Sequence, residues 1–247
     1  MRALKTLLLA MGLITVATAQ SADPPLAETR LTVHTLVRED VFAGFMSNDM
    51  ARFERAERNI ERLLRDRPDQ RGNLMAWKGS TLLHRAMLAH DAGRTSDFER
   101  TLEAARAAFG EAAQQTSGNE GVAAITGGSY SVFADRLPAP HRATAWADAY
   151  AAYSLLWKQQ GAMADKLPVH HRGELIGGLA QAAQRTGRSD EAMQHVDRML
   201  ILMQGTPYEV TAKEWKADPA AAATSKLTCK NCHNPGRLTS QLAALRQ

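Results

Sequence analysis

The sequence predicts an all-α fold built from antiparallel helical hairpins. Three observations lead to it. Apolar residues recur at spacings of three and four along most of the 247-residue chain, the period of a helix with one buried face. No stretch alternates apolar and polar residues as a half-buried strand would. Glycine and proline interrupt the pattern at Gly93, Gly118, Gly127-Gly128, Pro138, Pro140, Gly161, Pro168, Gly187 and Gly205. These breaks leave about eight helices joined by short loops.

The elements follow in order. Arg2 and Lys5 precede an apolar stretch from Leu7 to Val16, and Ala17-Thr18-Ala19 supplies the small residues read by a signal peptidase. This is the three-part pattern of a secretory signal, with cleavage near Ala19 and a mature chain starting at Gln20. The apolar run is shorter than the ~20 residues of a transmembrane helix, so no membrane span is expected in the mature chain. Met50, Phe53, Ala56, Ile60 and Leu63 form the first clear helical stripe, with Asn48 or Asp49 as its cap and Pro68 after its end. Phe98, Leu102, Ala105, Phe109 and Ala112 form a second, and Trp146, Tyr150, Tyr153 and Trp157 a third. Ala192, Val196, Met199 and Met203 form a fourth, ahead of Thr206-Pro207. On this pattern Phe98 and Trp157 are both core residues.

Residues 173–207 combine small residues in a first helix (Gly178, Ala180, Ala183) with a turn at Thr186-Gly187-Arg188-Ser189. Asp190-Glu191-Ala192 then opens a second helix and Pro207 closes the unit. This unit resembles a tetratricopeptide repeat. Residues 52–68 resemble the second helix of such a repeat, and residues 74–109, with Trp77, Gly79, Ala86, Gly93 and Phe98, resemble a stretched copy. Residues 118–165 depart from the pattern. The resemblance implies hairpins that bury their faces against neighbours in a stack; an irregular helical bundle is the alternative.

Composition bounds the function. Charged residues are 23% and hydrophobic ones 45% of the chain, ordinary values for a globular protein. The formal net charge of +4 includes Arg2 and Lys5 and falls to +2 without residues 1–19. That balance gives no ground for a nucleic-acid partner. Phosphate-loop, H-E-x-x-H and G-x-S-x-G patterns are all missing, so no catalytic residue is assigned.

The C-terminal segment, residues 208–247, differs in character. A short helix carrying Trp215 precedes Pro219 and the run Ala220–Ala223, read as a linker or weak helix. Cys229-Lys230-Asn231-Cys232-His233 follows, and then Asn234-Pro235-Gly236 turns the chain into a last helical turn or two. Cys229 and Cys232 are the only cysteines of the chain. Their spacing, with a histidine directly after, is that of covalent c-type haem attachment. In this feature the chain resembles the c-type cytochromes, and in the motif's C-terminal position it resembles cytochromes c′, although Pro235-Gly236 interrupts where that family continues its last helix.

The resemblance implies one haem c per chain, held by thioethers at Cys229 and Cys232, with His233 on the iron. It further implies an electron carrier outside the cytoplasm, periplasmic or secreted, rather than an enzyme. Such a carrier needs a redox protein partner, and the helical body offers a docking surface. Only 14 residues follow His233, so a sixth iron ligand has to come from upstream. His170 or His171, ahead of the 173–207 unit, are the candidates, with His34, His84, His90, His141 and His195 more distant. Met199 and Met203 belong to the apolar stripe, and Lys226, Lys230 and Arg237 flank the motif. Two alternatives stay open: a protein-binding scaffold whose cysteine pair forms a zinc site or a disulfide, and a haem protein that binds or senses gases through an open iron position. The expected organisation is signal peptide 1–19, helical domain 20–207 and haem-attachment segment 208–247.

Overall fold

The computed structural model describes residues 23–115, 120–227 and 236–246. Among them are ten α-helices and no strand: α1 (Val33–Ser47), α2 (Met50–Asp66), α3 (Arg71–Asp91), α4 (Thr95–Gln115), α5 (Glu120–Phe133), α6 (Ala139–Gln160), α7 (Val169–Arg185), α8 (Ser189–Leu202), α9 (Pro207–Ala217) and α10 (Arg237–Ala244). The all-α expectation holds. The signal segment and Gly118 lie outside the described residues.

The breaks arise from local chemistry. Asn48 takes a left-handed conformation (φ 53°) that ends α1, and the Asp49 side chain accepts the Arg52 N–H to cap α2, so the two candidate residues divide the work. Pro138 and Pro168 precede the first residues of α6 and α7. Gly187 (φ 78°) supplies the left-handed turn between α7 and α8. Gly127-Gly128, expected as a break, instead lies within α5. A Cβ on Gly127 would stand 3.1 Å from the Tyr153 ring, so the glycine serves close helix approach and leaves α5 continuous. The alanine run is a 3-10 turn at Ala221–Ala223 that buries Ala222 fully.

α1–α2, α3–α4, α5–α6 and α7–α8 pair as antiparallel hairpins. Residues 118–165, which depart from the repeat pattern in sequence, hold the hairpin α5–α6 nonetheless. The odd-numbered helices of successive hairpins also pack on one another, α1 on α3, α3 on α5 and α5 on α7, while each even helix packs on the odd helix that follows it. The odd helices therefore run parallel as an inner layer, and the even helices lie outside. α9 continues the stack on α8.

The core is continuous along the stack. Trp146 and Tyr153 of α6 meet Phe98 of α4, Phe133 of α5 and Leu179 of α7 in its centre. Trp215, Met199 and Met203 are fully buried at the α7–α9 end, so both methionines and the tryptophan are packing residues. A Cβ on Gly178 would overlap the Tyr153 ring, and one on Gly173 would lie 2.5 Å from Tyr208. These small residues set the spacing of α7 against α6 and α9. Trp157 corrects one expectation: it is only half-buried, under Arg198 at 5.2 Å and beside His195 at 5.3 Å.

Candidate functional site

Cys229, Cys232 and His233, together with Lys230, lie outside the described residues. What the structure defines is the scaffold on either side of them.

On the N-terminal side the chain is fastened to α7 and α5. The Arg185 guanidinium donates to the carbonyl of Ala222 and, at 3.1 Å, to that of Ser225. Asp135, 3.4 Å away, and the Trp146 ring below at 5.5 Å hold that guanidinium in place. Leu227 is buried, and its N–H donates to the Gln181 side chain at 2.9 Å. Lys226 reaches α5, where its ammonium donates to the Val132 carbonyl at 3.2 Å. This lysine is thus a structural tie to α5.

On the C-terminal side the chain is fastened to α1. The Glu39 carboxylate accepts the N–H of Gly236 at 3.0 Å and that of Leu238 at 3.1 Å. These are orphan donors of the first turn of α10, so a side chain of α1 acts as its cap. Gly236 supplies the left-handed conformation (φ 96°) that this entry needs. Leu238, Leu242 and Leu245 then pack on the α1–α3 core, and Arg30 donates to the Leu245 carbonyl at 3.3 Å. α10 therefore runs antiparallel along α1.

The anchors stand on α7, α5 and α1, all helices of the inner layer.

Each described histidine has a defined place. His34 lies 5.2 Å from Trp77, and His90 packs on Phe98 at 5.3 Å. His141 meets Glu99 at 3.1 Å. His170 and His171 stand in the first turn of α7, with His170 Nδ1 3.3 Å from the Tyr208 hydroxyl. His170 falls on the same α7 face as Gln181, three turns or about 16 Å away. Arg198 donates to His195 Nδ1 at 3.0 Å. His84 differs from all of these. It is 4% exposed, and neither ring nitrogen has a hydrogen-bond partner. Its ring is boxed by Phe53 at 4.8 Å, Phe45 at 4.9 Å and Phe133 at 5.6 Å. Burial, then the nearby Arg136 and Arg85 charges, push its pKa down to about 4, so it is neutral at ordinary pH.

Further buried polar atoms without a partner border the N-terminal anchor: Gln181 Nε2 and Ser225 Oγ. Orphaned groups of this kind are uncommon in folded proteins and call for a reason. Among the described residues no group of three or more metal-binding side chains occurs, and no helix is long and apolar enough to cross a membrane.

Sequence reasoning missed Glu39, Gln181 and Arg185 as anchors because their partners lie far along the chain, 197 residues away for Glu39–Gly236 and 46 for Gln181–Leu227. One signal for His84 is visible: it is the single polar residue at a buried position in the apolar run Leu82-Leu83-His84 of α3. The described residues form a stack of helical hairpins with residues 222–227 fastened to α7 and α5 and α10 fastened to α1. No protein family, no curated protein and no solved structure matches this chain.

Proposed function

We propose that this chain is an exported mono-haem c-type cytochrome that transfers electrons. Cys229 and Cys232 would hold the haem through thioethers, and His233 would bind its iron. The observation that carries the reading is the motif itself: the only two cysteines of the chain stand at haem spacing, directly before a histidine. The scaffold supports it. Both ends of the stretch that contains the motif are tied to packed helices, through Gln181, Arg185 and Val132 on one side and Glu39 on the other. A tether held at both ends fixes its cargo in position, which serves a redox centre better than a free tail would.

The residues present fit such a group. Gln181 Nε2 and Ser225 Oγ offer unpaired donors beside the N-terminal anchor. Haem bound there supplies a one-electron couple, and the protein's contribution is axial ligation, burial and orientation. A redox partner would dock on an exposed surface of the helical body. Export, with removal of residues 1–19, belongs to the same proposal, because the motif and the signal both require a compartment outside the cytoplasm.

The absorption spectrum of protein co-produced with c-type haem maturation machinery tests the reading. The expected result is a haem spectrum whose bands sharpen on reduction and return on reoxidation. Protein that carries zinc or a Cys229–Cys232 disulfide and no haem under those conditions would establish the scaffold reading in its place.

A further inference from the structure

We propose that α1 carries a docking seat for an amphipathic helix of a partner protein, and that α10 is the displaceable resident of that seat. The inference is independent of the haem reading.

The seat is built at both ends. α10 lies antiparallel along α1, and the Glu39 carboxylate accepts the N–H groups of Gly236 and Leu238 at its N-terminal end. At the other end the Arg30 guanidinium donates to the Leu245 carbonyl at 3.3 Å. A negative group thus meets the positive end of the helix dipole, and a positive group meets the negative end. Neither charge relies on α10 for its position. Arg52 reaches Glu39 at 3.4 Å while its Nε donates to Asp40 at 2.8 Å. Arg30 is clasped by Glu28 at 2.7 and 2.9 Å. Between the two ends the contact is apolar, with Leu238, Leu242 and Leu245 packed on the α1–α3 core. The body of the protein therefore presents a prepared frame for a helix of this polarity.

α10 fills that frame loosely. It has eight residues and no side-chain cap of its own, and isolated helices below ~12–15 residues are marginal in water. None of its described residues is fully buried. Leu238, Gln241, Leu242 and Leu245 fall at i, i+3, i+4 and i+7, the spacing by which amphipathic helices lie in grooves. The second of these positions is polar. Gln241 Oε1 is buried there with no hydrogen-bond partner, a cost that an apolar side chain would not carry. A helix with an apolar residue at that position, and no carboxylate in its first turn to oppose Glu39, fits the seat better than the chain's own. Tethering gives α10 a high effective concentration, which keeps the seat covered until such a helix competes for it.

The test uses the full chain and a fluorescein-labelled probe. The probe is the peptide of residues 236–246 carrying Gln241→Leu. A lactam between Ser240→Glu and Ala244→Lys, two exposed positions one turn apart, holds it helical. Leu242→Ser in the chain weakens the resident, and fluorescence polarisation should show about tenfold tighter probe binding than in wild type. Gln241→Leu in the chain improves the resident and should weaken probe binding relative to wild type. Glu39→Ala added to Leu242→Ser should cost about fivefold, the worth of a helix cap. If Leu242→Ser disturbs the fold, the comparison of Gln241→Leu with wild type decides alone. Equal affinity in all these chains would place the probe elsewhere and overturn the inference, as would no binding to any of them up to about 1 mM, the range of a tethered helix. A wild-type dimer that forms as concentration rises and is lost in Leu242→Ser would give the seat to a second copy and overturn the partner reading. The readout needs no haem, so failure here leaves the haem reading untouched.

Discussion

At the scale of single residues, burial decides what a substitution costs. Phe98 is 2% exposed inside the central core, and Phe98→Ala should lose about 3–5 kcal/mol of unfolding free energy. Trp157 falls on the same kind of apolar stripe in sequence but is only half-buried, so Trp157→Ala should lose about half as much. Denaturant titration of the two variants checks the order; equal losses would mean that the Trp157 ring is as enclosed as the Phe98 ring. His195 gives a pH dependence. Burial, then the Arg198 charge, lower its pKa to about 4 from an ordinary 6.5, with Glu191 opposing. Between those values the unfolded chain takes up a proton that the folded chain refuses. The contribution of His195 is therefore fully present above about pH 6.5, declines as the pH falls toward 4 and changes little below that, by about 3 kcal/mol in all. Comparing His195→Gln with wild type from pH 7 to 4 isolates this share. The variant should be the less pH-sensitive of the two, and parallel curves would show that His195 is not the group responsible.

At the scale of elements, the helices were legible because each carries its own signal. The stripe Phe98, Leu102, Ala105, Phe109 and Ala112 is buried throughout α4, and the turn at Gly187 falls between α7 and α8 as its sequence indicates. What failed were residues whose meaning depends on a neighbour. Gly127-Gly128 reads as a break until the Tyr153 ring is placed beside it, and only tertiary contact reveals that α5–α6 is a hairpin like the others. The contacts that hold the C-terminal segment are of the same kind. Glu39 looks like one more surface carboxylate of an amphipathic helix, yet it caps a helix almost 200 residues away. Glu39→Ala should loosen α10 from α1 by about 1 kcal/mol, the worth of a helix cap. Hydrogen exchange of peptides from residues 237–244 should speed up accordingly, with α7 unaffected; unchanged protection would show that the leucines of α10 hold it without the cap.

At the scale of the whole molecule, the architecture links the two features that the sequence presents separately, a helical-hairpin body and a terminal cysteine motif. Stacked hairpins leave an inner layer of parallel helices, here α1, α3, α5 and α7. Residues 222–227 are tied to α7 and α5 of that layer, and α10 is tied to α1. The cysteine motif itself was legible because its meaning is local, three residues at fixed spacing. The anchors beside it were not, because Glu39 and Gln181 meet the C-terminal segment only through contacts far apart in the chain. The central claim is that a haem is bound covalently at Cys229 and Cys232, and intact mass spectrometry of denatured, exported protein tests it most directly. The predicted result is a chain heavier by one haem, with the addition reduced or lost in Cys232→Ala. A wild-type chain at its bare polypeptide mass after co-production with the maturation machinery would contradict the account.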